Sequence, residues 1–348
     1  MAGHEDLRAA AARDRDFVGV DVDAMARLIQ QMNGASQAIS TWLRTNATLP
    51  PGVPRTGLRE AQAVHAWTGG QQGMLTRRRN YALTHLNQGG PTMPKVSAGR
   101  LGAGARRRAT SAGAGHDLGA FPDVRAATRA GTADAAAFLK AREAHRPVPD
   151  EVWKRLRASA DDPDYTHGLY GRLGPAGTAR LIEAAGKDHL KDVRTSLGVA
   201  SHHLTMDEKW LRAMLDEALR RGVRDDAVAL LSQAGLAHRT RVALGHLGLT
   251  EIVETGGSEP AGAENGPPVP SHEAMLAPAA DDPHAAVELY SRHPETLHRA
   301  LADGPRSEAL ARLVIQATTA HDADPAAVRA NAARLAAFQA TRSPETSA

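Results

Sequence analysis

The stretch 160–182 constrains this chain most, because it recurs. The first copy reads Ala160-Asp161-Asp162-Pro163, then Leu169-Tyr170-Gly171-Arg172, then Pro175 and Arg180. The second reads Ala280-Asp281-Asp282-Pro283, then Leu289-Tyr290-Ser291-Arg292, then Pro294 and Arg299. Asp before Pro is a helix-start pattern. The carboxylate can accept from the free N–H groups of the first turn. Proline at the first helical position forfeits no hydrogen bond and already has a helical φ. Gly174-Pro175 and His293-Pro294 then stop one helix and start another, and Asp324-Pro325 offers a further start. The pattern predicts two related helical units that pack against themselves. Its functional alternative is a ligand contact by Tyr170 with Arg172 and by Tyr290 with Arg292.

The rest of the chain agrees with an all-α fold. Apolar residues make up 42% of the 348 residues but aromatics only 3%. Alanine supplies much of the apolar share and is the strongest helix former. No sustained alternating pattern suggests a sheet. From Asp23, Met25, Ile29, Met32, Ser36, Ile39 and Leu43 step by four and three, and Leu28, Ala35 and Trp42 widen the face. This heptad-like seam needs a partner helix. A proline-rich turn over 46–57 precedes a second amphipathic helix over 58–87, in which Trp67, Met74 and Tyr81 fall at intervals of seven. Gly69, Gly70 and Gly73 predict a kink or break there. A short connection between two such helices predicts an antiparallel hairpin over 20–88.

Residues 89–119, rich in Gly, Ser, Ala and Arg without periodicity, read as a flexible linker. A helical domain with the first repeat unit follows over 120–253. A Gly, Glu and Pro-rich linker covers 254–270, and a helical domain with the second unit covers 271–342. Within the first of these, Thr205-Met206-Asp207-Glu208 reads as a capping box. Arg77, Arg78 and Arg79 read as a solvated helix face.

The hairpin carrying Trp67-Thr68-Gly69 resembles the WxG-motif family of small type VII secretion substrates. More closely, 20–29 with Val64-His65-Ala66-Trp67 and Leu75-Thr76-Arg77-Arg78-Arg79 resembles the hairpin that leads many polymorphic toxins of high-GC Gram-positive bacteria. The Ala-Asp-Asp-Pro units are similar to the all-helical region that commonly follows it. Two features depart from the small family members. The turn precedes Trp67, and Tyr81 is followed at the export-signal spacing by His85 instead of an acid. The resemblance implies a protein partner or self-association through the hairpin, with Met25, Ile29, Met32, Ile39, Trp42, Leu43, Trp67, Met74 and Tyr81 as contact residues. It also implies a scaffold or carrier role. No distinct effector module is recognisable at the C-terminal end, so no toxin activity is expected.

Catalytic, cofactor and metal constellations are not legible. There is no cysteine, which excludes disulfides and thiolate metal sites. His202-His203 point about 100° apart on a helix and chelate poorly. No Glu lies between two His at metalloprotease spacing, and no serine sits in a nucleophile elbow. Gly113-Ala114-Gly115 with Gly119 mimics a dinucleotide loop, but no strand precedes it. The expected cofactor is therefore none, and no reaction class is assigned. An unrecognised all-helical enzyme and a basic scaffold binding nucleic acid stand as the alternatives. With 42 basic against 39 acidic residues the net charge is only +3. Basic residues are not interleaved with aromatics as base stacking needs, which argues against nucleic acid. No apolar run is long enough to span a bilayer, and the N-terminus lacks a signal-peptide core. The expectation is a cytoplasmic protein, or one exported without a cleavable signal peptide.

Overall fold

The computed structural model describes residues 22–46, 56–88, 120–255, 271–303 and 307–342. Thirteen α-helices and no strand occur among the described residues, so the fold is all-α. The linker over 89–119 and most of the linker over 254–270 lie outside the described residues. The chain divides into two compact units, the first comprising the described part of Met1–Gly131 together with Asp162–Tyr165.

In the first unit α1 (Val22–Thr45) packs against α2 (Thr56–Gln88), joined by the opening of α3 (Val124–Glu143) and the Asp162–Tyr165 segment. α2 runs through Gly69, Gly70 and Gly73 without interruption, where the glycines predicted a kink. Gly73 has a packing reason instead. A Cβ there would lie 3.1 Å from the Cβ of Asp123, so the bare backbone allows close approach. The arginine run also departs from expectation. Arg77 is fully buried, while Arg78 is exposed. Arg77 donates to the Asp162 carboxylate and to the Phe121 carbonyl, and its Nε stands 3.5 Å from Asp164. Its guanidinium lies 5.5 Å from the Phe121 ring centroid. Asn80 adds a 2.9 Å hydrogen bond to Asp164. A buried cation is retained only when it is paired and hydrogen-bonded, and carboxylates at 162 and 164 supply that pairing.

The second unit holds the rest of α3, then α4 (Asp150–Ala158) and α5 (Pro163–Ser201) from Thr166 onward. Gly174, at φ 62°, and Gly186, at φ 50°, divide α5 into three segments. A left-handed φ is open to glycine without steric cost. The first segment folds against the third. Fully buried Tyr170 donates to the Val193 carbonyl at 3.2 Å and shares a 2.7 Å hydrogen bond with Ser196. Next come α6 (Glu208–Arg220), α7 (Arg224–Gln233) and α8 (His238–Thr255). α6 is capped by Asp207, which accepts from Trp210 N–H at 2.9 Å. The expected capping box at Thr205 is not used.

α8 runs on through Gly245 and Gly248 without a break. Both glycines are contact points. A Cβ on Gly245 would come within 2.8 Å of Leu289 and 2.9 Å of Ala279, and one on Gly248 within 3.1 Å of the His272 carbonyl. The final helices are α9 (Ser271–Ala280), α10 (Pro283–Arg292), α11 (Pro294–Asp303), α12 (Glu308–Thr319) and α13 (Pro325–Arg342). They share a core with α8 that is built on Leu249, Leu276, Leu289, Tyr290 and Leu313, all shielded from solvent.

The two Asp-Pro segments have closely similar local geometry. Asp162 Oδ1 accepts from the backbone N–H groups of Asp164 at 3.0 Å and Tyr165 at 3.2 Å. Asp282 Oδ1 accepts from those of His284 at 3.0 Å and Ala285 at 3.3 Å. Leu169 and Tyr170, like Leu289 and Tyr290, are buried. The breaks differ in backbone: Gly174 takes the left-handed region, whereas His293 has φ −129° and ψ 48°.

Candidate functional site

α1 has no buried residue. Met25, Ile29, Met32, Ile39 and Leu43 are half-buried, while Trp42 is 48% exposed. On α2, Met74 and Tyr81 are half-buried and Trp67 is 62% exposed. Leu28 and Val64 are also open to solvent. This distribution has a simple origin. A stripe at heptad spacing can be covered on only one side by one neighbouring helix, and α2 is that neighbour. Gln72 donates to Asn33 across the pair. Thr68 turns inward and bonds the Val64 carbonyl at 2.7 Å, so of Trp67-Thr68-Gly69 only the threonine is buried.

The other sequence candidates do not converge. Tyr170 points into the core of its unit, and Arg172 is exposed. Burial pushes the Tyr170 phenol well above its usual value, against the hydrogen bond it shares with Ser196. Tyr290 is buried with its hydroxyl 2.9 Å from His298 Nε2, and burial pushes it up to about 12. Arg292 is exposed and pairs with Glu288 at 2.8 Å.

The polar clusters that do assemble were not legible in the sequence. At the start of α8, His238 Nε2 lies 2.5 Å from Glu288, and its Nδ1 stands 3.9 Å from Asp282. Hydrogen bonding to Asp282 and then to Glu288 raises the His238 pKa against the opposing effect of burial. Asp282 also receives Arg241 at 2.8 Å. Burial works against its charge, yet His238, the Ala285 N–H and Arg241 outweigh this and hold the carboxyl well below the usual range. Two turns on, His246 stacks on His293 with centroids 3.6 Å apart and donates from Nδ1 to Glu208 at 2.7 Å. These partners are separated in sequence by 38 to 50 residues, and no short-range spacing announces them.

Chemically, these clusters are neutralised ion pairs and stacked rings at helix junctions. No group of three His, Asp or Glu among the described residues is arranged to hold a metal ion. No helix among them is long and apolar enough to cross a membrane. Comparison with known protein families, with curated proteins and with solved structures gives no match.

Proposed function

We propose that this protein is a non-catalytic helical interaction protein whose α1–α2 pair docks a helical partner or a second copy. The observation that carries this reading is the uncovered apolar surface of that pair: Leu28, Trp42, Val64 and Trp67 are all exposed. Large apolar side chains grouped on one element mark interaction surfaces in soluble proteins. An antiparallel hairpin is favoured by chain reach. Asn33 meets Gln72, and in a parallel pair at that register the connection after Thr45 would have to climb most of the length of α2. An extended chain gains at most about 3.6 Å per residue, too little for so short a connection. The shared Asp cap and the Pro-opened following helix support reading the two helical segments as copies of one unit. The WxG-like features of the sequence support a scaffold or carrier role beside type VII secretion or a polymorphic-toxin-like system.

The test is co-purification of the full chain with any small WxG protein encoded beside it, together with sedimentation of the chain alone. The expected result is a stoichiometric complex or a dimer, lost in a Trp42→Ser/Trp67→Ser variant that keeps its helicity. A monomer that binds none of them at tens of micromolar, roughly −6 kcal/mol of association or weaker, refutes the proposal.

A further inference from the structure

α8 meets α10 and α11 along an edge carrying two histidines of opposite character. At its beginning, His238 lies between the carboxylates of Asp282 and Glu288, with Arg241 on Asp282 and Arg292 on Glu288. Further along, His246 and His293 lie face to face, 3.6 Å between centroids and 18° from parallel. His293 is the break residue between α10 and α11, so its ring sits where the course of α11 is set. α6 supplies Glu208, 2.7 Å from His246, and Arg212, 3.0 Å from Glu208. On α11, His298 turns instead to Phe338 of α13, with centroids 4.3 Å apart.

We infer that the His246–His293 stack is a proton-operated joint: a second proton on the pair sets two like charges face to face and releases α11 from α8, while the His238 end holds. One proton on the pair is balanced by Glu208. A second meets no carboxylate of its own among the described residues, because Glu208, which also attracts a proton on His293, is already shared by His246 and Arg212. Burial and, after it, His246 push His293 below the usual histidine value of 6.5. Burial pushes the Glu208 carboxyl up, but hydrogen bonds from His246 and Arg212 outweigh it and keep it ionised through mild acid. A closed state that binds the second proton less well than the open one loses ground as pH falls. At His238 the sign is opposite, because protonation there completes pairs with two carboxylates. Acid therefore loosens the α11 end of this edge and tightens the α10 start.

Amide hydrogen exchange of the full chain, followed by mass spectrometry and corrected for intrinsic rates, tests the joint. Between about pH 7.5 and about pH 5, where histidine changes charge, protection of α11 should fall on the order of tenfold or more relative to the start of α10. His293→Gln should abolish that fall. Glu208→Gln, which keeps both rings, should move its onset to higher pH, because the closed pair then holds protons less tightly. The inference is overturned by α11 amides that stay protected in acid. It is equally overturned by an unchanged onset in Glu208→Gln, or by a His293→Gln variant that loses protection at the same pH as wild type.

Discussion

Asp282 carries both a cap and a charge, and two substitutions separate them. Asparagine caps helices about as well as aspartate, whereas alanine forfeits the cap at roughly 1 kcal/mol. Asp282→Asn should therefore keep the acceptor for His284 and Ala285 and lose only the charged contacts. Those contacts are Arg241 at 2.8 Å, with side chains 22% and 17% exposed, and His238 beyond it. An exposed ion pair contributes under about 1 kcal/mol, and breaking a buried one costs about 3–5 kcal/mol. A pair this shielded falls between, at roughly 1–2 kcal/mol. Asp282→Asn should then cost roughly 1–2 kcal/mol and Asp282→Ala roughly 2–3 kcal/mol at neutral pH, summing the two terms. Urea unfolding followed by far-UV circular dichroism, with exchange of the α10 amides as a local readout, measures both. The pH dependence fixes the sign. The folded carboxyl titrates below its ordinary 3.8, so the advantage of Asp over Asn is complete above that value and fades as pH falls through the lower folded one. Equal costs for Asn and Ala would refute the separation. So would an Asn variant as stable as wild type at neutral pH.

Three further outcomes are expected. Arg77→Met removes the buried guanidinium that pairs with Asp162 and Asp164 and should destabilise the first unit by about 3 kcal/mol or more, seen as lost exchange protection in α2. Gly245→Ala gains up to about 1 kcal/mol of helix propensity but forces a methyl within 2.8 Å of Leu289. Overpacking of about 1–3 kcal/mol should prevail, lowering the urea midpoint. His238→Gln should destabilise most at mildly acidic pH. A raised histidine pKa contributes stability that is full below 6.5 and is lost as pH rises through the folded value, so the urea midpoints of variant and wild type should converge in alkaline buffer.

Helix starts were the most legible part of this chain. Asp-Pro fixes a start through two local effects, a side-chain acceptor and a preset φ, and α10 begins at Pro283 with Asp282 as its cap, as the sequence predicts. Glycine was the least legible. Gly174 and Gly186 break α5 through left-handed backbone, whereas Gly73, Gly245 and Gly248 sit inside unbroken helices because another element needs their space. Sequence cannot tell these uses apart, since the neighbour that claims the space is remote along the chain. The Thr205 capping box failed for a related reason. Glu208 spends its carboxylate on His246 and Arg212, and Asp207 takes over the cap. Of the candidate contact residues, the heptad seam of α1 was readable from period alone, and the exposure of Trp42 and Trp67 was not. Arg77 looked identical in sequence to Arg78, and only the carboxylates 85 residues away set it apart.

That separation bears on how the protein is made. When α2 leaves the ribosome, the counter-ions for its interior guanidinium are not yet translated. The nascent arm must either keep Arg77 in water or wait, half-docked, until Asp162 and Asp164 emerge. Any fragment cut in the 89–119 stretch would be stranded in that waiting state, so the arm's native ground state belongs to the longer polypeptide.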